Sequence, residues 1–340
     1  MFVPGRELNA RFYREIVEPL AGPWPHAAAL LGWGSDVLGY DTPRSTDHGW
    51  GPRVQLFVDD GDVAAVARAV EAGLPGTFAG WPVRFGRDAV EMRHWVDVST
   101  LPAWLDGYLG VDATRDLTTT DWLVLPQQLI LGVVRGAVYA DPRGRLAAVR
   151  ARLEWYPDDV WRWLLACGWN RIGQEEHFVG RTAQVGDELG SRLLAGRLVR
   201  DLMRLCFLQE RVYCPYAKWF GTAFRDLHAY AALAPMLDAV LRADDHASRE
   251  AALVAAYEFV AQRNNELGLT EPVDPTVRPF HDRPFQVLFA GRFAEACRAG
   301  ITDPWLRELP PVGSVDQISD STDVLERTSI TRALAAVYRA

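Results

Sequence analysis

Residues 32–58, GWGSDVLGYDTPRSTDHGWGPRVQLFV, constrain this chain more than any other stretch. A short apolar lead-in, Ala27 to Leu31, is enough for a buried strand and runs into a Gly-Ser turn. A polar loop carrying Asp36, Asp41 and Asp47 follows. The segment Arg53 to Val58 then alternates as a strand does. Two strands joined by a small-residue turn and an acidic loop place that loop at the end of a sheet.

The flanking segments extend this pattern. Leu8, Phe12, Ile16 and Leu20 recur at near-helical spacing and predict a first helix over 6–20, ended by Gly22-Pro23-Trp24-Pro25. Asp59, Asp60 and Asp62 offer N-caps to a helix whose face carries Val63, Val66, Ala67 and Val70. VEMRHWVDV, 90–98, reads as another strand, with Trp95 and Asp97 on one face and His94, Val96 and Val98 on the other. A helix is expected from Thr100 to Leu109. From about residue 118 helical periods dominate, as in Leu193, Leu194, Leu198, Leu202, Leu205 and Leu208, and a further helix is expected over 284–298. The fold class expected is α/β for residues 1–117, a small mixed sheet with helices, followed by an all-α helical bundle over 118–340.

A Gly-Ser pair lets backbone approach a phosphate closely and aim N–H groups at it. A carboxylate at the mouth of the next strand can hold Mg²⁺ against the same phosphates. The stretch resembles the signature of the nucleotidyltransferase superfamily: Gly-Ser, a spacer, then Asp-x-Asp on a strand. More closely it looks like an uncharacterised nucleotidyltransferase-like family, DUF4037, with PYAKWF (215–220) and RPF (283–285) as further shared motifs. One position departs: Gly49 stands where the pattern wants a second carboxylate, so Asp47-His48-Gly49 keeps half of the pair.

The resemblance implies roles for particular residues. Gly34 and Ser35 would bind the phosphates of an NTP, ATP first, and Arg44 could reach one too. Asp47 and Asp97 would be the catalytic and Mg²⁺-binding carboxylates. Lys218, in its aromatic setting, would bring a compact positive charge to the phosphates. Glu175 or Glu176 would act as general base on the acceptor hydroxyl. His48 reads as a loop histidine, because Mg²⁺ prefers oxygen ligands. Each also has a plainer structural role open to it: a tight turn for Gly34-Ser35, a turn cap for Asp47, a polar strand residue for Asp97, a solvated helix face for Glu175 and Glu176, and a side chain snorkelling from a core helix for Lys218.

Composition narrows the choice of partner. The net charge is −8 and the basic residues, nearly all Arg, are scattered rather than clustered in sequence, which argues against a polyanion. Thirteen Trp point to aromatic cores. Cys167, Cys206, Cys214 and Cys297 form no Cys-x-x-Cys, so neither a disulfide framework nor structural zinc is expected. With neither a signal-type N-terminus nor an apolar run of about 18 residues, a cytoplasmic protein is expected. The leading expectation is Mg²⁺-dependent transfer of a nucleoside monophosphate from an NTP to a hydroxyl or amine of a small molecule. A nucleotide-binding or regulatory protein impaired at Gly49 is the alternative, and a tRNA-modifying nucleotidyltransferase comes third.

Overall fold

The computed structural model describes residues 2–47, 49–87 and 90–339. The chain divides into two compact units. The first comprises Met1–Asp121, Leu125–Glu154 and Glu326–Arg332; the second comprises Trp122–Val124, Trp155–Leu325 and Ala333–Ala340.

The first unit is built on strands β1 (Ala27–Leu30), β2 (Arg53–Phe57), β3 (Thr77–Phe78), β4 (Trp81–Pro82), β5 (Arg84–Arg87), β6 (Val90–Ser99) and β7 (Ala137–Ala140). Five of them form one mixed sheet in the order β5-β6-β2-β1-β7, while β3 and β4 make a separate small hairpin. Strands β2 and β6 run parallel, with Gln55 opposite Asp97; the other neighbours in the sheet are antiparallel. A parallel pair needs a crossover, and the helix Val63–Gly73 lies between β2 and β6 in sequence. Val66 and Val70 of that helix join Val54, Leu56, Val58 and Val96 in one core. The N-terminal helix covers the same core with Leu8, Phe12, Tyr13 and Val17. It runs from Gly5 to Ala21 through a widened i→i+5 turn at Tyr13–Val17, close to the expected 6–20.

Strand β7 lies in the part of the sequence read as helical. Its signal is weak for a physical reason: it has only four residues, Ala-Val-Tyr-Ala, between Gly136 and Asp141-Pro142. A Cβ on Gly136 would run into the Leu30 carbonyl, so a glycine is what lets this strand come in beside β1.

The second unit is mainly helical. Its long helices are Asp158–Gln184, Glu188–Gln209, Tyr230–Arg242 and His246–Glu266, packed around Trp163, Trp169, Phe207 and Tyr257. The aromatic cores expected from the Trp count are present here. The helix expected over 284–298 is shorter, Gly291–Ala299. The residues before it form a ribbon of β8 (Arg278–Pro279) and β9 (Gln286–Val287). Pro284 and the capture of the Leu288 and Ala290 N–H groups by Glu176 keep that stretch out of the helix.

The second face of β2 is polar. Gln55 Oε1 accepts the Leu31 N–H at 2.7 Å, and Asn9 Oδ1 accepts the Arg53 N–H at 2.7 Å. The Arg53 guanidinium donates to both carboxylate oxygens of Asp36, at 3.2 and 2.5 Å, and lies 4.4 Å from the Trp33 ring centre. Both side chains of this ion pair are 2% exposed. Removing one partner of such a pair strands the other charge in a dry site. Asp36→Ala is therefore expected to lower stability by about 3–5 kcal/mol in urea unfolding, and Asp36→Leu with Arg53→Met to recover most of that loss. A single variant within about 0.5 kcal/mol of wild type, the usual surface range, would show that the pair carries no weight.

Candidate functional site

The loop after β1 takes its shape from glycines. Gly32, Gly34 and Gly39 have φ of +90°, +127° and +79°, conformations that L-residues rarely adopt. At Gly34 the reason is also steric, since a Cβ there would collide with Asp36 Oδ1 and Arg53 Nη2. The loop is then pinned from the N-terminal helix. Arg6 Nε donates to the Asp36 carbonyl at 3.2 Å and Arg6 Nη2 to the Arg135 carbonyl at 2.7 Å. Asp41 Oδ2 accepts from the Gly5 N–H at 2.7 Å and from Trp50 Nε1 at 3.1 Å. Asp36 and Asp41 are thus consumed in building the loop.

What the loop leaves open is its crest. Gly34 and Ser35 are partly exposed, and among the described residues neither their backbone N–H groups nor the Ser35 hydroxyl meets a hydrogen-bond acceptor. Two consecutive N–H donors and a hydroxyl are groups that can donate to an anion. Trp33 at the base of this crest meets Trp95 edge-on at 5.5 Å. Trp95 and Asp97 project from β6 on that same side of the sheet, as their alternation in sequence requires. Asp97 is 31% exposed and accepts from Arg93 Nη1 at 2.9 Å.

The other expected residues fall elsewhere. Asp47 ends the 3-10 turn Pro43–Asp47, ahead of β2 rather than on it, and is exposed, as is Arg44 on the same turn. His48 lies outside the described residues. Gly49 has φ of +61°. Among the described residues there is no group of three or more His, Cys, Asp or Glu side chains that could hold a metal ion. A small cleft of about 30 Å³ opens at the opposite end of the sheet from the Gly-Ser loop, where Phe57 pairs with Ala27, and is lined there by His26, Asp59, Asp141 and Arg143. Arg143 closes on both oxygens of Asp59, at 2.8 and 2.9 Å.

Glu175, Glu176 and Lys218 belong to the second unit. Glu176 is buried, and its two oxygens accept the Leu288 and Ala290 N–H groups at 2.6 and 2.8 Å. Burial raises its pKa to about 7, and the backbone donors only partly offset this. Glu175 is held by Arg197 at 2.5 Å. Both carboxylates are therefore engaged in holding this unit together. Lys218, the only lysine in the chain, is exposed on the helix Ala217–Phe224, 5.1 Å from the Trp219 ring centre, and Trp219 Nε1 donates to Tyr216 Oη at 2.8 Å.

Sequence reasoning passed over Arg53 and Gln55 as functional determinants. The signal was present: in RVQLFV the two polar side chains alternate with Val54 and Leu56, which marks a strand with one apolar face and one polar face.

The fold is a mixed-sheet unit with a glycine-shaped loop after its first strand, accompanied by a large helical part. Residues 122–220 match the model of the family described as "Domain of unknown function (DUF4037)". The resemblance seen in the sequence holds over that stretch; it includes PYAKWF, while 32–58 and RPF lie outside it. Among solved structures, a nucleotidyltransferase-like protein from Exiguobacterium sibiricum 255-15 is similar at 11% identity, with a TM-score of 0.37, over 80% of this chain and 83% of that one. No curated protein matches. No helix among the described residues is long and apolar enough to cross a membrane.

The raised pKa of Glu176 has a measurable consequence. The folded chain keeps a proton there to higher pH than the unfolded chain does. The stability this confers is complete below the ordinary glutamate range and is lost as the pH rises through about 7. Glu176→Gln is expected to remove this slope between pH 5 and 8, leaving a constant offset from the poorer backbone contacts. Parallel melting curves for wild type and variant across that range would contradict the assignment.

Proposed function

We propose that the first unit binds the triphosphate of a nucleotide at Gly34 and Ser35, ATP being the first candidate, in the manner of the nucleotidyltransferase-like class. The observation that carries this reading is the pair of open N–H groups beside the Ser35 hydroxyl, on the side of the sheet that also bears Asp97. The Gly-Ser and Asp47 spacing supports the same class.

The donor set tests what metal chemistry fits. Mg²⁺ is commonly held by one or two carboxylates together with substrate phosphates. Asp47 and Asp97 would hold one such ion, carried in on the triphosphate. A two-ion centre does not fit, because Gly49 supplies no ligand and the described residues form no cluster of three. A bound ion would neutralise phosphate charge. In this reading Gly34 and Ser35 fix the phosphates, Arg44 adds a positive charge, and Asp47 with Asp97 orients the metal–phosphate end. The reaction open to such a site is transfer of a nucleoside monophosphate to a hydroxyl or amine of a small molecule, slowed by the missing carboxylate. Glu175 and Glu176, both engaged, are poor choices for its base. A nucleotide-binding role without turnover is the limit of the same reading.

The test is thermal stabilisation by ATP with and without Mg²⁺. At a hundredfold excess over Kd, a bound nucleotide adds about 2.7 kcal/mol. Ser35→Asp, which sets a negative charge against the phosphates, is expected to abolish the Mg²⁺-dependent part of the gain without lowering the melting temperature of the free protein. Equal stabilisation of wild type and variant would sink the site. Gly49→Asp places a carboxylate in a left-handed conformation that aspartate tolerates better than most residues. It is expected to raise Mg²⁺-dependent pyrophosphate release from ATP above the wild-type level, and no rise would count against position 49 as the lost ligand.

A further inference from the structure

The second unit carries a surface that the reading above does not use. Near the C-terminal end of the helix Asp158–Gln184, His177 stacks on Phe280, with ring centres 4.6 Å apart and planes 26° apart, and meets Phe178 edge-on at 4.3 Å. Phe280 in turn contacts His281 at 4.6 Å and Phe289 at 6.0 Å. Phe178 remains 37% exposed, with the Arg181 guanidinium 5.5 Å from its ring centre. Arg181, His281 and Arg283 are exposed as well, and Arg283 donates to Gln184 Oε1 at 2.7 Å.

Three properties characterise this cluster. The first is unanswered positive charge in a protein of net charge −8. In this unit Arg197 is paired with Glu175, Arg249 with Glu188 and Arg278 with Asp274. Among the described residues, Arg181 and Arg283 have no carboxylate at ion-pair distance, although Asp282 is adjacent in sequence. Burial holds the His177 imidazole below its ordinary pKa, and Arg181, Arg283 and His281 lower it further. The second property is His177 Nδ1, a buried atom that no other residue satisfies among the described residues and that has only its own main chain beside it. The third is backbone strain. Of the four non-glycine residues at positive φ, His281 (55°) and Phe289 (54°) both lie here, and for a bulky residue that region is an outlier.

We propose that Phe178, Arg181, His281 and Arg283, around the stacked His177–Phe280 pair, bind a nucleotide unit: an aromatic base carrying phosphate. Guanidinium groups match phosphate oxygens in a planar fork. The exposed part of the Phe178 ring, beside the Arg181 guanidinium, can accept a base by stacking, whatever the base. The unit could arrive as a free mononucleotide or within a single-stranded RNA; the chemistry recognised is the same. This site is independent of the Gly34–Ser35 loop.

The experiment measures binding of 5′-AMP, adenosine, inorganic phosphate and an unstructured RNA oligonucleotide to the full chain. AMP is expected to bind more tightly than adenosine or phosphate alone. Arg181→Glu with Arg283→Glu replaces two exposed side chains; it is expected to leave the melting temperature unchanged and to weaken AMP at least tenfold. Phe178→Ala is expected to remove most of the advantage of AMP over phosphate. Tighter oligonucleotide binding with a steep salt dependence assigns the unit to RNA, and equal or weaker binding assigns it to a mononucleotide. A wild type that binds neither AMP nor the oligonucleotide, or a double variant that binds as wild type does, would overturn the proposal. Failure here is separable from failure at the first site: Ser35→Asp leaves this binding intact, and the arginine reversals leave the Mg²⁺-dependent stabilisation by ATP intact.

Discussion

A guanidinium at 2% exposure must meet a counter-charge, and the one Arg53 meets sits on the loop that follows β1. That requirement shapes the whole neighbourhood. Asp36 must turn inward to reach Arg53, so position 34 must be glycine to clear both groups. Gly5, a second close neighbour of Asp36, admits no Cβ either, which fixes how the N-terminal helix begins. Arg6 and Asn9 then tie that helix to the loop and to β2. Desolvating two charges costs several kcal/mol per ion, so the return on this arrangement is conformational specificity as much as stability. The loop is held in one shape, and that shape leaves the N–H groups of Gly34 and Ser35 without an acceptor among the described residues.

The sheet divides the labour between its faces. Val54, Leu56, Val58 and Val96 bury apolar surface beneath the helices, the ordinary source of stability in a small α/β layer. Arg53, Gln55, Trp95 and Asp97 stand on the opposite face, where polar groups have been fixed by ion pair, backbone hydrogen bond or ring contact. Such fixing is what a binding site for a charged ligand needs, because groups oriented in advance lose little freedom when the ligand arrives. The same economy limits the chemistry. Asp36 and Asp41 are spent on structure, Asp97 answers Arg93, and Gly49 brings no carboxylate, so less negative charge is left for metal ions than the acidic loop suggests from sequence.

The elements of the first unit were readable because their physics is local. The alternation of RVQLFV and VEMRHWVDV and the spacing of Leu8, Phe12 and Ile16 each encode one buried face. Strand β7 was hidden, since four small residues carry no period and its place depends on Gly136 meeting Leu30. The start of the helix Gly291–Ala299 was misjudged because a distant carboxylate, Glu176, claims the backbone ahead of it. At the candidate site the Gly-Ser turn was legible, whereas the partner of Asp36 was not: which of three loop aspartates meets the buried Arg53 is settled by tertiary packing. Glu175 and Glu176 looked alike in sequence, yet a one-residue step along a helix turns one toward Arg197 and the other toward the 288–290 backbone.

The central claim is that the crest of the Gly-Ser loop is an anion cradle left open by the Arg53–Asp36 pair beneath it. The most direct measurement is residue-resolved amide NMR of Gly34 and Ser35 during an ATP titration. The account predicts that both amides exchange quickly with solvent in the free protein, shift on addition of ATP, and exchange more slowly in the complex. ATP that leaves both resonances and their exchange rates unchanged, while the protein remains folded, would contradict it.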